Sequence, residues 1–201
     1  MGRPARSGGF SDHWHLLGRF LRNPRSVGAV APSSRALARA MVADLDFHHA
    51  HVVELGPGTG AFTASIVESL GAGARFLAID IDPTFVASIH AKWPAIEVVC
   101  ASAEELPSLT AERGLAPIDH ILSGLPFASL PAAITQGILS GIERTLRPGG
   151  TFTTFQYVQA YGMSAAVNFR QDMSRRLGSE PTRQLVLMNA PPAWTLRWVK
   201  R

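Results

Sequence analysis

Three glycines and one carboxylate lie at spacings that suit a binding site for a small charged ligand. In VVELGPGTGAF, residues 52–62, an apolar strand runs into a turn that contains Gly56, Gly58 and Gly60. Glycines allow positive φ and let the backbone approach a ligand closely. Glu54 precedes the turn by two residues, and its carboxylate disfavours a diphosphate but suits a positively charged ammonium group. The spacing differs from the G-x-G-x-x-G of dinucleotide-binding turns, and a ligand-free strand-to-helix connection is the alternative.

A second carboxylate, Asp80, ends the next predicted strand, twenty-four residues after Gly56. This is close to the interval at which an acid binds ribose hydroxyls in nucleotide-binding α/β folds. An aspartate at a strand end can instead cap the following helix, but Asp82 and Pro83 already form that start signal. We therefore predict that Asp80 binds a ribose.

The end of the third predicted strand supplies the remaining part of a nucleoside site. Ser102, Ala103 and Glu104 lie where an adenine edge would fall. Alternatively, Ser102 and Glu105 have the spacing of a capping box that serves only their own helix. Ser34, Ile81 and Ser123 complete the predicted set of ligand-binding residues.

The elements that position these residues alternate as in a parallel α/β sheet. Two helices come first, over Phe10–Leu21 and from Ser33 or Ser34 to about Ala43. The predicted strands are His51–Leu55, Arg75–Asp80, Ile96–Cys100, Ile118–Ser123 and Thr151–Tyr157, and the helices between them are Gly60–Leu70, one that begins at Asp82-Pro83, and Pro131–Leu146. Two strand-like runs at the end, Gln184–Met188 and Trp194–Val199, suit an antiparallel hairpin.

The three strand ends, in this order over about residues 52–157, resemble the class I S-adenosylmethionine-dependent methyltransferases. Gly28–Ser34, Ser123–Phe127 and Pro191–Trp194 extend the likeness to the bacterial phospholipid N-methyltransferases. The resemblance implies a Rossmann-like α/β fold whose seven-stranded sheet is mostly parallel with an antiparallel C-terminal hairpin, preceded by amphipathic helices. It also implies S-adenosylmethionine as cofactor and stepwise N-methylation of phosphatidylethanolamine to phosphatidylcholine at the membrane surface. Ser102 departs from the family, whose members often carry an acid at this position.

Methyl transfer to an amine requires a lone pair in line with the sulfonium methyl, and proximity and exclusion of water then supply much of the rate. Phe127 follows the fourth predicted strand and Tyr157 ends the fifth. We predict that both position the amine, because an aromatic face attracts a methylammonium group and a phenol oxygen accepts a hydrogen bond. A role in the hydrophobic core is the alternative for each.

Charge is distributed unevenly along the 201 residues. Residues 1–39 and 144–201 have balances of +6 and +7, whereas residues 40–143 have a balance of −9. Basic ends predict a surface for a polyanion, either nucleic acid or an anionic membrane, and a solvated basic surface is the alternative.

The first predicted helix has an apolar face opposite a basic face, as do helices that lie on membranes, although such a face can also pack against a sheet. The predicted membrane-binding residues are Phe10, Trp14, Leu17, Arg19, Leu21 and Arg22. We accordingly predict an N-terminal membrane-contacting segment over residues 1–44 and a methyltransferase core over residues 45–201.

Two other functions compete with lipid methylation. The basic composition and the loop Leu125-Pro126-Phe127 also resemble the adenine dimethyltransferases that act on ribosomal RNA. Those enzymes hold a flipped adenine with an Asn-containing loop, whereas Ser123 stands here and no separate RNA-binding domain follows the last strands, so no nucleic-acid partner is expected. The third function is a membrane-surface binding module that retains the fold without turnover.

Cysteine and histidine usage argues against disulfide and metal chemistry. The single cysteine, Cys100, cannot form an intramolecular disulfide and is predicted to be a small buried residue. His48, His49 and His51 lack an acid or cysteine placed to complete a metal site, so we predict a polar loop. No secretory signal is present, and we expect a cytoplasmic protein associated peripherally with the inner face of the membrane.

Two further segments bear on membrane contact. The uncharged stretch Ile121–Ile142 is interrupted by glycine and proline and predicts a buried strand and a helix rather than a membrane span. Arginines 170, 175, 176 and 183 fall in the least patterned segment, and we predict that some of them bind lipid phosphate.

Overall fold

A computed structural model describes residues 34–201. The predicted helix Phe10–Leu21 lies outside the described residues. The same holds for the predicted membrane-binding residues, which are Phe10, Trp14, Leu17, Arg19, Leu21 and Arg22. Membrane contact by this helix therefore stays a prediction.

The described chain alternates helices and strands in the predicted order, with a helix over Ser164–Leu177 that the sequence does not predict. The helices are α1 (Arg35–Val42), α2 (Ala61–Ser69), α3 (Pro83–Lys92), α4 (Leu106–Glu112), α5 (Ala132–Thr145) and α6 (Ser164–Leu177). The strands are β1 (His51–Leu55), β2 (Arg75–Asp80), β3 (Glu97–Cys100), β4 (Ile118–Ser123), β5 (Leu146–Tyr157), β6 (Thr182–Val186) and β7 (Ala193–Val199). Short 3-10 turns follow β3 and β5, at Ala103–Glu105 and Val158–Ala160.

The strands of the described chain form one sheet in the order β3-β2-β1-β4-β5-β7-β6. Strands β1 to β5 are parallel to their neighbours in this group, and β7 is antiparallel to both β5 and β6. The predicted fold class, a mostly parallel seven-stranded sheet with an antiparallel C-terminal hairpin, is confirmed. The last residues of β1 to β5 meet at one edge of the sheet, which we call the carboxyl edge.

Local signals in the sequence explain where two of the helices begin. The Asp82 side chain accepts a hydrogen bond from the Thr84 N–H (2.8 Å), and Pro83 occupies the first turn of α3. The Ser34 side chain accepts from the Leu37 N–H (3.2 Å) and caps α1. Both caps satisfy backbone donors that have no partner within the helix, as the sequence predicts.

Helix α1 contributes to the hydrophobic core. Leu37 and Met41 are fully buried in a cluster that also contains Val52 of β1 and Ile66 of α2. Helix α1 lies within the predicted membrane-contacting segment, residues 1–44, and its buried side chains make it part of the packed core, while residues 1–33 lie outside the described residues.

Three elements differ from the sequence prediction, and the first is β5, which begins at Leu146, five residues before its predicted start at Thr151. Helix α6 occupies the segment that lacks an evident pattern, and it buries Ala166, Phe169, Met173 and Leu177 at helical spacing. Strand β6 ends at Val186, two residues before the predicted end, so that Leu187 and Met188 lie in the turn to β7. Most residues of α6 are not buried, which obscures its helical pattern in the sequence. Leu187 and Met188 are apolar but exposed, so the sequence predicts a later end of β6.

The uncharged stretch Ile121–Ile142 contains the end of β4 and most of α5, as predicted. Across residues 34–201, no helix combines the length and the apolar character that crossing a membrane requires. The prediction that Cys100 is buried is wrong, because β3 is the edge strand of the sheet and leaves this side chain exposed.

Candidate active site

The turn after β1 holds three glycines in the left-handed backbone region at the carboxyl edge. The φ angles of Gly56, Gly58 and Gly60 are +69°, +55° and +87°. A Cβ on Gly56 would lie 2.6 Å from Cδ2 of Leu125, so this position has no room for a side chain. A Cβ on Gly58 would meet nothing within 4 Å. Gly58 therefore borders open space from which a ligand can reach the backbone.

Glu54 is fully buried one residue before the end of β1. Its Oε2 accepts a hydrogen bond from the Thr63 hydroxyl (2.7 Å), whereas its buried Oε1 has no partner within the described chain. Burial, with a smaller contribution from the charge of Asp80, raises the pKa of Glu54 to about 8. Unpartnered buried polar atoms are rare, so Oε1 points to a ligand that donates a hydrogen bond or carries positive charge.

Asp80 is buried at the end of β2 and fastens the glycine turn to this strand. Its Oδ2 accepts from the Gly58 N–H and its Oδ1 from the Asp82 N–H, both at 2.9 Å. Burial raises its pKa above the ordinary value. Two ionised oxygens offer about four lone-pair positions, so two amide partners leave capacity for ligand hydroxyls.

The two acids lie on neighbouring parallel strands. In the register of β1 and β2, Glu54 pairs with Ala78 and Leu55 with Ile79, which places Glu54 and Asp80 near the same end of the sheet. The structure thus brings together the two carboxylates and the glycine turn that the sequence singled out. A ligand that fits them carries a cation at one position and hydrogen-bond donors at another.

At the end of β3, Ser102 and Glu105 form the capping box that the sequence offers as the alternative to adenine binding. The Ser102 hydroxyl accepts from the Glu104 N–H (3.1 Å), and the Ser102 N–H donates to Oε1 of Glu105 (3.0 Å), which completes the capping box. Ala103 lies in the same turn, and Ile81 is partly exposed directly after Asp80. Adenine binding by Ile81, Ser102, Ala103 and Glu104 stays a prediction.

The loop after β4 is held by Ser123, which is fully buried. Its hydroxyl accepts from the Leu125 N–H (3.2 Å), and its carbonyl accepts from the Thr154 hydroxyl (3.1 Å). Phe127 is 6% exposed and stacks on Phe169 with ring centroids 4.5 Å apart. These contacts favour the core role that the sequence left open for Phe127, and its amine-positioning role stays a prediction.

Tyr157 ends β5 at the carboxyl edge and is partly exposed. Its ring packs edge-on against Phe155, with centroids 5.3 Å apart, and burial raises the pKa of its phenol above the ordinary value. Ser34 also lies near this edge, because its N–H donates to Oδ1 of Asn189 (2.8 Å) in the turn after β6.

Three residues of this region have no clear signal in the sequence. Thr63 holds Glu54, Asn189 holds Ser34, and the Lys92 ammonium donates to the Thr59 carbonyl (2.9 Å) and so fastens the glycine turn. Each is a single polar residue in a helix or a turn, and the sequence around it predicts that helix or turn but not the hydrogen bond. Their partners lie on other elements, between 9 and 155 residues away in the chain, so no local spacing identifies them.

The arginines that were predicted to contact lipid differ in their partners. Arg175 pairs with Asp172, and Arg176 pairs with Glu143 (2.6 Å). Arg170 and Arg183 both contact Tyr161: the guanidinium of Arg170 is 3.7 Å from the ring centroid, and Nη1 of Arg183 donates to the phenol oxygen (3.1 Å).

The histidines that follow α1 do not gather around a common centre. The Nδ1 atom of His51 contacts the Leu115 carbonyl (2.6 Å), while His48 and His49 lie against Gly71 and Gly73. Within residues 34–201, no three histidine, cysteine or acidic side chains come together as metal ligands.

Comparison with known proteins gives a family and a curated relative. A family model described as a methyltransferase domain matches residues 52–150. An ornithine lipid N-methyltransferase of Singulisphaera acidiphila is 30% identical over 145 residues, which cover 70% of this chain and 76% of the relative.

Solved structures share the fold at low sequence identity. A 1,6-didemethyltoxoflavin N1-methyltransferase of Burkholderia thailandensis, crystallised with S-adenosylhomocysteine, has a TM-score of 0.69 at 18% identity. The match covers 100% of this chain and 92% of the Burkholderia chain. The N-methyltransferase NodS of Bradyrhizobium japonicum, also in complex with S-adenosylhomocysteine, has a TM-score of 0.67 at 16% identity. The match covers 94% of this chain and 98% of the NodS chain.

Proposed function

This chain belongs to the class I S-adenosylmethionine-dependent methyltransferases, and from that premise we propose that it methylates the amino nitrogen of a membrane lipid, phosphatidylethanolamine. The observation that carries a lipid substrate is the 30% identity to an ornithine lipid N-methyltransferase over most of both chains. Successive transfers to phosphatidylethanolamine give the monomethyl and dimethyl lipids and then phosphatidylcholine.

The residues at the carboxyl edge fit S-adenosylmethionine. When bound, this cofactor supplies an electrophilic methyl group on a positively charged sulfur. The unpartnered Oε1 of Glu54 would accept a hydrogen bond from its ammonium group, and the carboxylate of Asp80 would accept from its ribose hydroxyls. Gly58 would let the backbone approach it, since no side chain of the described chain fills that space.

The chain's part in the transfer is to orient a neutral amine and to exclude water. Ethanolamine is protonated at neutral pH, so its nitrogen must release a proton before it can attack. Strands β4 and β5 are parallel neighbours, so the loop after Ser123 and the end of β5 at Tyr157 lie at the same carboxyl edge of the sheet. Of the two aromatic candidates, Tyr157 fits amine positioning better than Phe127, because it is partly exposed and its neutral phenol can accept a hydrogen bond.

Ornithine lipid is a second candidate substrate, favoured by the name of the curated relative. Both candidates are lipids with an amino group, and both would reach the site from a membrane surface. We propose that the protein is cytoplasmic and binds the inner face of the membrane peripherally. In this proposal, the first predicted helix, Phe10–Leu21, provides the membrane contact within the N-terminal segment of residues 1–44, and α1 of that segment packs on the methyltransferase core.

The proposed membrane helix predicts a specific effect of Trp14→Asp. This change should weaken association with anionic vesicles at least several-fold, because it removes an interfacial aromatic ring and adds repulsion from lipid phosphate. Vesicle flotation measures the loss, and calorimetry should give unchanged S-adenosylmethionine affinity. His15→Asp, on the polar face, introduces the same charge and is the matched control. If the Trp14 variant still floats with the vesicles, the helix packs inward.

The open space beside Gly58 predicts a loss of cofactor affinity in Gly58→Ala. The added methyl group should lower S-adenosylmethionine affinity at least about tenfold, because it occupies space that the cofactor needs. Gly114→Ala is a matched control, since Gly114 has a φ of +58° and its Cβ would also meet nothing within 4 Å. Both variants should lose similar thermal stability. Equal cofactor affinity in the two variants, measured by calorimetry, would place the cofactor elsewhere.

Lipid analysis of a bacterial host that lacks phosphatidylcholine tests the proposed substrate. Expression of this chain should produce monomethyl and dimethyl phosphatidylethanolamine and phosphatidylcholine on thin-layer plates, and the Asp80→Ala variant should produce none. A host that accumulates no methylated phosphatidylethanolamine, despite soluble protein that binds S-adenosylmethionine, would contradict phosphatidylethanolamine as substrate.

A further inference from the structure

Exposed apolar side chains of the described chain gather beyond the carboxyl edge. Leu187 and Met188 are 70% and 85% exposed in the turn between β6 and β7, and Val158 and Met163 are 43% and 56% exposed after β5. Large apolar side chains this exposed mark interaction surfaces when they occur together. We call these four residues the apolar patch.

Sheet register places both segments at the same edge. Tyr157, the last residue of β5, pairs with Ala193 of β7, and Ala193 pairs with Val186, the last residue of β6. The chain therefore leaves β5 and β6 at the same level. The glycine turn follows β1 and Asp80 ends β2, and both strands run in the same direction as β5, so the apolar patch lies at the same edge of the sheet as the proposed active site.

Direct contacts connect the two segments. The Val158 N–H donates to the Pro192 carbonyl (2.9 Å), and the rings of Tyr161 and Trp194 lie 5.9 Å apart between centroids. Trp194 in turn pairs with Leu185 in the β6–β7 ladder. The apolar patch is therefore carried by two segments that support each other.

The two segments that carry the apolar patch contain one charged residue, Arg183. Residues 157–163 and 182–194 contain no aspartate or glutamate, and Arg183 is exposed beside Leu185. The contacts of Arg183 and Arg170 with Tyr161 hold both guanidinium groups next to this region. Apolar side chains flanked by arginine match the boundary between lipid phosphates and hydrocarbon chains.

We propose that the apolar patch docks on the surface of an anionic bilayer, with Leu187 and Met188 inserted among the headgroups and Arg183 on lipid phosphate. The choice of a bilayer as occupant rests on the proposed function. Docking at this edge brings headgroups to the active site while the acyl chains stay in the membrane. It is a contact in addition to the N-terminal segment, carried by a different part of the fold.

Vesicle flotation of the full-length protein tests this surface. The vesicles contain phosphatidylglycerol and phosphatidylcholine without phosphatidylethanolamine, so binding is measured without turnover. Leu187→Asp and Met188→Asp should each reduce the bound fraction at least fivefold. Val199→Asp is the matched control, because Val199 is 44% exposed at the opposite end of β7 and receives the same charge. All three variants should bind S-adenosylmethionine as the unmodified chain does.

Several outcomes would overturn the proposal. These are no vesicle binding by the unmodified chain, equal binding by all three variants, and a dimer in solution that either turn substitution dissociates. Methyl transfer to a short-chain lipid dispersed in detergent separates this proposal from the proposed function. Loss of vesicle binding with transfer retained in detergent supports docking. Transfer to no lipid amine, with binding that depends on the turn, contradicts the proposed function and leaves the docking surface intact.

Discussion

Replacing Asp80 by alanine should weaken S-adenosylmethionine binding by at least about 100-fold, because hydrogen bonds to a charged group contribute roughly 1.5–3 kcal/mol each. The change removes the acceptor of the ribose hydroxyls in the proposed site. It also removes the acceptor of the Gly58 N–H, so the glycine turn loses its attachment to β2. Isothermal calorimetry with S-adenosylmethionine or S-adenosylhomocysteine measures the affinity, and far-ultraviolet circular dichroism should report an intact fold.

Asp119→Ala is a control for the loss of a backbone acceptor. Asp119 accepts a hydrogen bond from the His51 N–H (2.8 Å), but it lies at the beginning of β4, on the opposite edge of the sheet. This variant should lose some stability and keep its cofactor affinity. Equal affinity of the Asp80 and Asp119 variants would refute the ribose assignment.

Replacing Glu54 by glutamine should have opposite effects on stability and on cofactor affinity. In the unfolded chain this carboxyl has its ordinary pKa near 4.5, whereas burial raises its pKa to about 8 in the folded protein. The folded state therefore retains the proton, and the unfolding free energy of the cofactor-free protein falls as pH rises from about 4.5 to 8. Glutamine cannot ionise and removes this decrease.

At pH 9 the Glu54→Gln variant should be more stable than the unmodified chain by roughly 2–4 kcal/mol, a rise in melting temperature of roughly 5–15 °C, while at pH 5 the two should be similar. Its S-adenosylmethionine affinity should fall roughly 100-fold, because a neutral amide replaces the partner of the cofactor ammonium. Thermal unfolding at several pH values and calorimetry check the two effects separately.

The ionisation of Glu54 also predicts that affinity of the unmodified chain increases as pH rises towards about 8, since the cofactor binds the charged carboxylate. Glu68→Gln, at an exposed position of α2, removes one charge and should change neither property. A Glu54 variant that binds the cofactor normally would exclude the carboxylate from the site, whatever its effect on stability.

Much of the site could be predicted because its parts obey local rules. Buried parallel strands are continuous apolar runs, so β1, β2 and β4 begin and end where the sequence predicts. Glu54, the glycine turn and Asp80 follow those strands directly, and a parallel sheet brings such ends to one edge. The order of strands in the chain was therefore enough to bring the two acids together.

Other features depend on contacts that no local pattern contains. The sequence predicts that Leu187 and Met188 end a strand, but the chain turns after Val186 and leaves both side chains exposed. Phe127 follows a strand in the same way as Tyr157, yet its ring stacks on Phe169 of α6, a helix that the sequence did not predict. Whether Phe127 lies in the core or faces a substrate depends only on tertiary packing, and the sequence does not contain that information.

The most direct test is methyl transfer by the purified protein to mixed vesicles that contain phosphatidylethanolamine and ornithine lipid in equal amounts, with structured RNA present. Methyl-labelled S-adenosylmethionine supplies the label, and the lipid and RNA fractions are separated and counted. We predict label in monomethyl and dimethyl phosphatidylethanolamine and in phosphatidylcholine. Label confined to ornithine lipid would contradict the proposed substrate, and label in RNA or in neither fraction would contradict lipid methylation itself.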